Sequence, residues 1–298
     1  MKYLINVLKG AAIGIGMIIP GVSGGTIAVL LNIYEDMISA ISNLKKEFKK
    51  SFFFLLPILI GMVLAFAAMY FPIKLSLQHF PLQTITLFVG LMIGSLPKLC
   101  KDASANGFEK KFDIISFIIP LIIVIGICFI PNMGVVSLGN DMVWYSYILL
   151  FIMGILASCA LVIPGISGSM LLLIFGYYEP LLNTISALKD TPLHALLVLV
   201  IFALGLVIGF FAISKVMNFL LSKHRRVTYW AIVGFVFGSI PAIYISYDFS
   251  NATLEWYTYL TAVIIGIIGI IASFFLIRLS EKKTIAKEET IKENNTNE

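Results

Sequence analysis

The chain has 298 residues, of which 59% are hydrophobic and only 12% charged, and its mean hydropathy is +1.00. Soluble domains carry about 25% charged residues, so composition excludes a water-soluble domain. The formal net charge of +5 does not mark a nucleic-acid binder, because no basic face interleaved with aromatics accompanies it.

The first element is an apolar stretch at about residues 8–19 that ends at Pro20-Gly21. It lacks a small-residue cleavage pattern, so a removable signal peptide is not expected. Proline has no amide hydrogen and clashes with the preceding turn, which ends the helix. Glycine permits the reversal, and Ser23 suits the N-cap of the helix that follows. That second helix is purely apolar only over about 22–31, before Asn32, Tyr34, Glu35, Asp36, Ser39, Ser42 and Asn43. Such a stretch is too short to cross a bilayer, which predicts a re-entrant hairpin over 8–44. Read as one continuous helix, its second arm carries Glu35 about 18 Å along the axis from Ser23. Apolar runs at about 52–71, 84–97 and 113–131 then read as three membrane spans. A β-barrel would show short alternating strands instead.

The same order then recurs. Ile-Pro-Gly-x-Ser-Gly stands at Ile19–Gly24 and again at Ile163–Gly168, 144 residues later. At that offset Tyr34-Glu35 pairs with Tyr178-Glu179, Gly61 with Gly205, Gly94-Ser95 with Gly238-Ser239, and Pro97 with Pro241. A long-period repeat sets the architecture. Repeat one is expected over 1–132. Repeat two, over 133–279, has a hairpin at 147–188 and spans at about 193–214, 228–245 and 257–278. Residues 280–298, rich in Lys, Glu, Asn and Thr, are expected as a disordered tail.

Lys and Arg favour cytoplasmic loops. All but Lys74 and Lys189 fall near the N-terminus, in 45–50, 98–111 and 215–226, or from Arg278 onward. The charge pattern therefore places both termini in the cytoplasm. It also makes the first hairpin enter from the cytoplasmic face and the second from the opposite face. The predicted fold class is an all-α polytopic membrane protein with two inverted-topology repeats, each a re-entrant broken hairpin plus three transmembrane helices. Inverted repeats with interrupted helices recur in secondary transporters, with the substrate at their interface.

Free amides at a helix start, with a serine hydroxyl, can receive an anion. The candidate residues are Pro20, Gly21, Ser23, Gly24 and Gly25 with Pro164, Gly165, Ser167, Gly168 and Ser169; a tight packing turn is the competing reading. Glu35 and Glu179 are candidates for gating or proton coupling, or plain interfacial acids. Arg225 and Arg226 suit attraction of an anionic head group, and topology signalling explains them as well. The small-residue motifs Gly90-x-x-x-Gly94 and Gly234-x-x-x-Gly238 read as helix-packing surfaces. Three cysteines and three histidines form no metal-ligand pattern, so no metal and no cofactor is expected.

The doubled Ile-Pro-Gly-Val/Ile-Ser-Gly, each followed by Tyr-Glu, resembles the bacterial PopT-like polyprenyl-phosphate transporters over roughly residues 8–278. The resemblance implies translocation of undecaprenyl phosphate across the bacterial cytoplasmic membrane, recycling the lipid carrier of cell-envelope synthesis. It makes the Pro-Gly-x-Ser-Gly residues the head-group site and the polyprenyl-phosphate lipid the partner, beside ordinary membrane lipids; the oligomeric state stays open. Copy two departs from copy one at Ser169 for Gly25 and Pro180 for Asp36. The alternatives are a small-anion transporter or channel, and a membrane polyprenyl-phosphate phosphatase, for which no serine with a base partner is evident.

Overall fold

A computed structural model describes residues 2–18, 23–105, 110–130, 136–139, 142–166, 168–247, 249 and 255–296. Among the described residues the chain is helical, with no strand. The first copy comprises α1 (Lys2–Ile18), α2 (Gly24–Leu30), α3 (Tyr34–Ser42), α4 (Phe48–His79), α5 (Pro81–Ser104) and α6 (Lys110–Ile127). The second comprises α7 (Trp144–Val162), α8 (Gly168–Ile174), α9 (Tyr178–Ser186), α10 (Pro192–Lys223), α11 (Arg225–Ser246) and α12 (Trp256–Thr296). Both ends of α2 and α8, of α3 and α9, and of α4 and α10 are related by the offset of 144. The duplication thus extends to the breaks in the chain.

Among the described residues six helices are long and apolar enough to cross a membrane: α4, α5, α7, α10, α11 and α12. This is a multi-pass α-helical membrane protein. Five of the six answer to expected spans. The expected span at 113–131 corresponds to α6, whose 18 residues include Lys110, Lys111 and Asp113. Conversely α7, the first arm of the second hairpin, has spanning length, whereas α1 is apolar only over Tyr3–Met17.

The return arm of each hairpin is not the continuous helix expected. It breaks after α2 and again after α8. At the first break Asn32 has φ +52°, the Asn32 amide donates to Val29 O, and the Ile33 amide donates to Ala28 O. At the second, Gly176 has φ +74°, its amide donates to Leu173 O, and the Tyr177 amide donates to Leu172 O. This is a Schellman C-cap, in which a left-handed residue, usually Gly or Asn, closes the helix. Glu35 and Glu179 therefore sit in the first turns of separate helices, not 12 residues along one axis. A carboxylate in that position favours the helix start.

The chain forms two compact units, one of residues 1–73 and 103–248, the other of 74–102 and 249–298. In the larger unit α1 lies on α4 and α7 on α10, with glycines at the crossings: a Cβ on Gly10 would overlap Ile58 O, and one on Gly154 would overlap Phe202 O. There α11 also packs on α6, Gly234 meeting the Phe117 carbonyl. In the smaller unit Gly90 of α5 meets the Gly266 carbonyl of α12. Both small-residue motifs are therefore helix-packing surfaces, which close backbone approach explains.

Residues beyond Ser280, expected as a disordered tail, are helical as far as Thr296. Lys, Glu and Ala are good helix formers, and extending an existing helix needs no new nucleus.

Candidate functional site

The start of α2 and the turn after α7 meet in the larger unit. The last carbonyls of a helix lack intrahelical partners. Two such groups at the end of α7 are taken up by copy one: the Ser23 hydroxyl donates to Ala160 O at 3.4 Å, and the Tyr34 hydroxyl donates to Val162 O at 3.0 Å. In return the Gly165 amide donates to Thr26 Oγ1 at 2.7 Å. Ser23 also caps α2, its Oγ accepting from the Gly25 amide at 3.2 Å. Gly25 has room for no side chain without movement, since a Cβ there would stand 3.1 Å from Val162 O. Ser23, Thr26 and Tyr34 are all at most 5% exposed, so these hydrogen bonds form away from solvent.

Gly165 adopts φ +87°, and a Cβ there would meet Phe235 O of α11. Only glycine takes up this turn without strain. From Phe235, α11 runs back ten residues to Arg225, about 15 Å at 1.5 Å per residue. There Glu35 of α3 accepts a hydrogen bond from the Tyr229 hydroxyl and pairs with Arg225 Nη2 at 2.7 Å. The guanidinium also lies over the Tyr229 ring, 5.2 Å from its centre. Arg225 stays 51% exposed. Its neighbour Arg226 turns instead to Asp113 of α6, Nε to Oδ1 3.1 Å, where the carboxylate is fully buried. The two arginines expected to act together thus divide: one holds the helix pair α6–α11, the other faces Glu35.

The arrangement is one-sided. Glu179 is exposed in α9, and Tyr178 beside it is exposed as well. At the offset of 144, Arg225, Arg226 and Tyr229 correspond to Pro81, Leu82 and Ile85, so the second acid has no equivalent cation or phenol. Of the sequence-selected residues, Ser23, Gly25, Pro164 and Gly165 lie where the two copies meet; Gly24 begins α2 facing Ile13 and Met17 of α1, and Gly168 begins α8. Pro20, Gly21 and Ser167 lie outside the described residues, as does the side chain of Ser169. Sequence reasoning passed over Thr26, Tyr229 and Asp113. Thr26 matches Met170 in the repeat, so symmetry gave no cue. Tyr229 stands one helical turn from Arg225, and i,i+4 spacing was the available signal.

An all-α multi-pass chain whose duplicated halves meet at broken hairpins is built as a membrane transporter. Residues 13–263 match the VCA0040-like, undecaprenyl phosphate translocase-like family, and the chain belongs to it. It is 36% identical over 283 residues to the polyprenyl-phosphate transporter of Staphylococcus aureus, covering 93% of this chain and 96% of that protein. With the polyprenyl-phosphate transporter of Vibrio cholerae it shares 30% identity over 258 residues, 82% of this chain and 78% of the relative. No solved structure matches the chain at a significant level.

Proposed function

We propose that this protein moves undecaprenyl phosphate, or a polyprenyl phosphate of similar length, between leaflets of the bacterial cytoplasmic membrane. The lipid carrier of envelope synthesis is thereby returned for reuse. Both termini lie in the cytoplasm, and the two hairpins enter the membrane from opposite faces. The observation that carries this reading is the junction of the two copies, where the Ser23 and Tyr34 hydroxyls donate to Ala160 O and Val162 O and the Gly165 amide donates to Thr26 Oγ1. Irregular backbone at membrane depth is tolerated where protein covers it or where it lines a polar cavity. Parting the two turns exchanges the first condition for the second. It presents hydroxyl and amide donors to a phosphate, together with Pro20, Gly21, Ser167 and Ser169 on the grounds of the repeated motif.

A polyprenyl phosphate needs only its head group sheltered, because the isoprenoid tail remains in lipid. Arg225, half-exposed and always charged, is the first cation such a head group meets from the cytoplasmic side. Glu35 holds that guanidinium until the phosphate replaces the carboxylate, so it acts as a gate. Glu179 lacks such a partner among the described residues and plays no matching part.

The test is translocation by the purified protein in liposomes carrying undecaprenyl phosphate. Accessible phosphate in one leaflet is followed over time against protein-free vesicles. Faster equilibration is expected; a rate equal to that of empty vesicles overturns the assignment. Orientation is checked in cells on a cysteine-free background: Lys46→Cys should be labelled only from the cytoplasm and Asp190→Cys only from outside. Labelling of both from one side overturns the opposed hairpins.

A further inference from the structure

A cavity of about 770 Å³ lies between the start of α1, the polar face of α3 and the start of α4. That volume suits a small ligand or a lipid head group. Two of its lining side chains, Asn6 at 7% exposure and Ser51 at 3%, are buried and polar. Neither finds a hydrogen-bond partner among the described residues. Their polar atoms open onto the cavity and are not sealed from water, so they stand ready to hydrogen-bond an occupant.

The second copy shows what becomes of the same space when it is filled. At the offset of 144, Asn6 becomes Leu150, Ser51 becomes Ala195 and Phe54 becomes Val198. Leu150 and Val198 are fully buried in an apolar cluster, and Leu138 of the segment joining the repeats packs into it. That segment is held by the Val136 amide on Gly176 O at 3.1 Å. His194, the counterpart of Lys50, reaches Leu138 O at 3.0 Å. In copy two the chain itself plugs the site with apolar side chains. In copy one the site is open and its lining is polar.

The charges define the occupant. Glu47 and Lys50 pair with each other at 2.8 Å; the other charged groups of the lining are Lys49 and Asp36, and Asp36 also lies within electrostatic reach of Lys9 of α1. One carboxylate and one ammonium match a ligand carrying both a cation and an anion, and either charge alone would meet a like one. At the rim, Tyr3 and Phe53 are 61% and 54% exposed, as aromatics at a membrane interface are. We infer that this cavity holds the head group of a membrane lipid bearing both a phosphate and an amine. Its amine lies toward Asp36, its phosphate toward Lys49, and its oxygens meet Asn6 and Ser51. Phosphatidylethanolamine and lysyl-phosphatidylglycerol are the two sources of that chemistry. The lipid is a bound component of the first repeat. Undecaprenyl phosphate, which has no amine, does not satisfy the site, so the inference is independent of the transported substrate.

The experiment is native mass spectrometry of the full chain, stripped of lipid in detergent and then given phosphatidylethanolamine, lysyl-phosphatidylglycerol or phosphatidylglycerol separately. One-to-one adducts with one or both amine lipids are expected, at least about tenfold stronger than with phosphatidylglycerol. Asn6→Leu combined with Ser51→Ala, the residues the second copy carries, should remove the amine-lipid adduct. Asp36→Asn, at an exposed position that leaves folding intact, should abolish the preference for the amine. Equal binding of phosphatidylglycerol, adducts unchanged in these variants, or no adduct at all (water alone filling the cavity) each overturns the proposal. Should the double variant fail to fold, Asp36→Asn and Ser51→Ala decide it.

Discussion

In copy one the acid that follows the helix break, Glu35, faces α11, accepts from Tyr229 and pairs with Arg225; in copy two its counterpart, Glu179, is exposed on α9. The same division runs through neighbouring positions. Tyr34 is buried with its hydroxyl on Val162 O, whereas Tyr178 is exposed. The cavity beside Asn6 is open, while the space beside Leu150 is packed with Leu138. Element boundaries are thus repeated while side-chain partners are not. Duplication preserves what local sequence dictates, which is where helices stop. Partners depend on which helix lies opposite.

The largest expected effect tests the junction itself. Gly165→Ala forces a side chain into a left-handed conformation against Phe235 O. It should lower stability by about 3 kcal/mol or more, from strain and overpacking together. Gly25→Ala meets Val162 O at 3.1 Å and should cost about 1 kcal/mol, the low end of overpacking. Thermal unfolding in detergent distinguishes them, and equal losses would mean that the two turns carry equal strain.

Next comes the acid pair. Glu35→Gln should slow liposome translocation at least tenfold, about 1.4 kcal/mol in barrier, whereas Glu179→Gln should stay within about twofold. Unfolding temperature should barely move in either, since partly exposed ion pairs contribute about 0–1 kcal/mol. Matching losses of transport would restore functional symmetry and break the comparison.

A smaller difference separates the tyrosines. Tyr34→Phe leaves Val162 O without its donor and should cost about 1 kcal/mol. Tyr178→Phe should fall within about 0.5 kcal/mol of the parent, as exposed substitutions do. The smallest effect concerns the helix breaks. Asn32→Gly places in copy one the residue of copy two, and should stabilise by a few tenths of a kcal/mol by relieving the left-handed position. A loss of more than about 1 kcal/mol, the size of a lost hydrogen bond, would show that the Asn32 side chain holds the break in a way Gly176 does not.

Much of the fold was legible because it rests on local rules. Long apolar runs, proline-glycine reversals and the offset of 144 are read directly from residue order. The missed breaks at Asn32 and Gly176 were legible too: a C-cap residue stands at the same place in each copy, but the apolar run around each masked it. The helical extension to Thr296 was misread because polar composition was weighed above helix propensity. Ser23 was recoverable as a cap, yet its donation to Ala160 O depends on a residue 137 positions away. Arg225 and Arg226 look interchangeable in the sequence, and only their neighbours, Glu35 and buried Asp113, separate them.

By itself the sequence determined the membrane class, the duplication and the position of each chain reversal, because hydropathy, proline and glycine act within a few residues. Tertiary structure alone decided that the start of α2 and the turn after α7 satisfy each other's hydrogen bonds. It also decided that one acid of the repeated pair is held by a cation, and that one of two equivalent spaces remains open. Those outcomes are set by groups far apart in the chain, whose approach depends on how the helices pack.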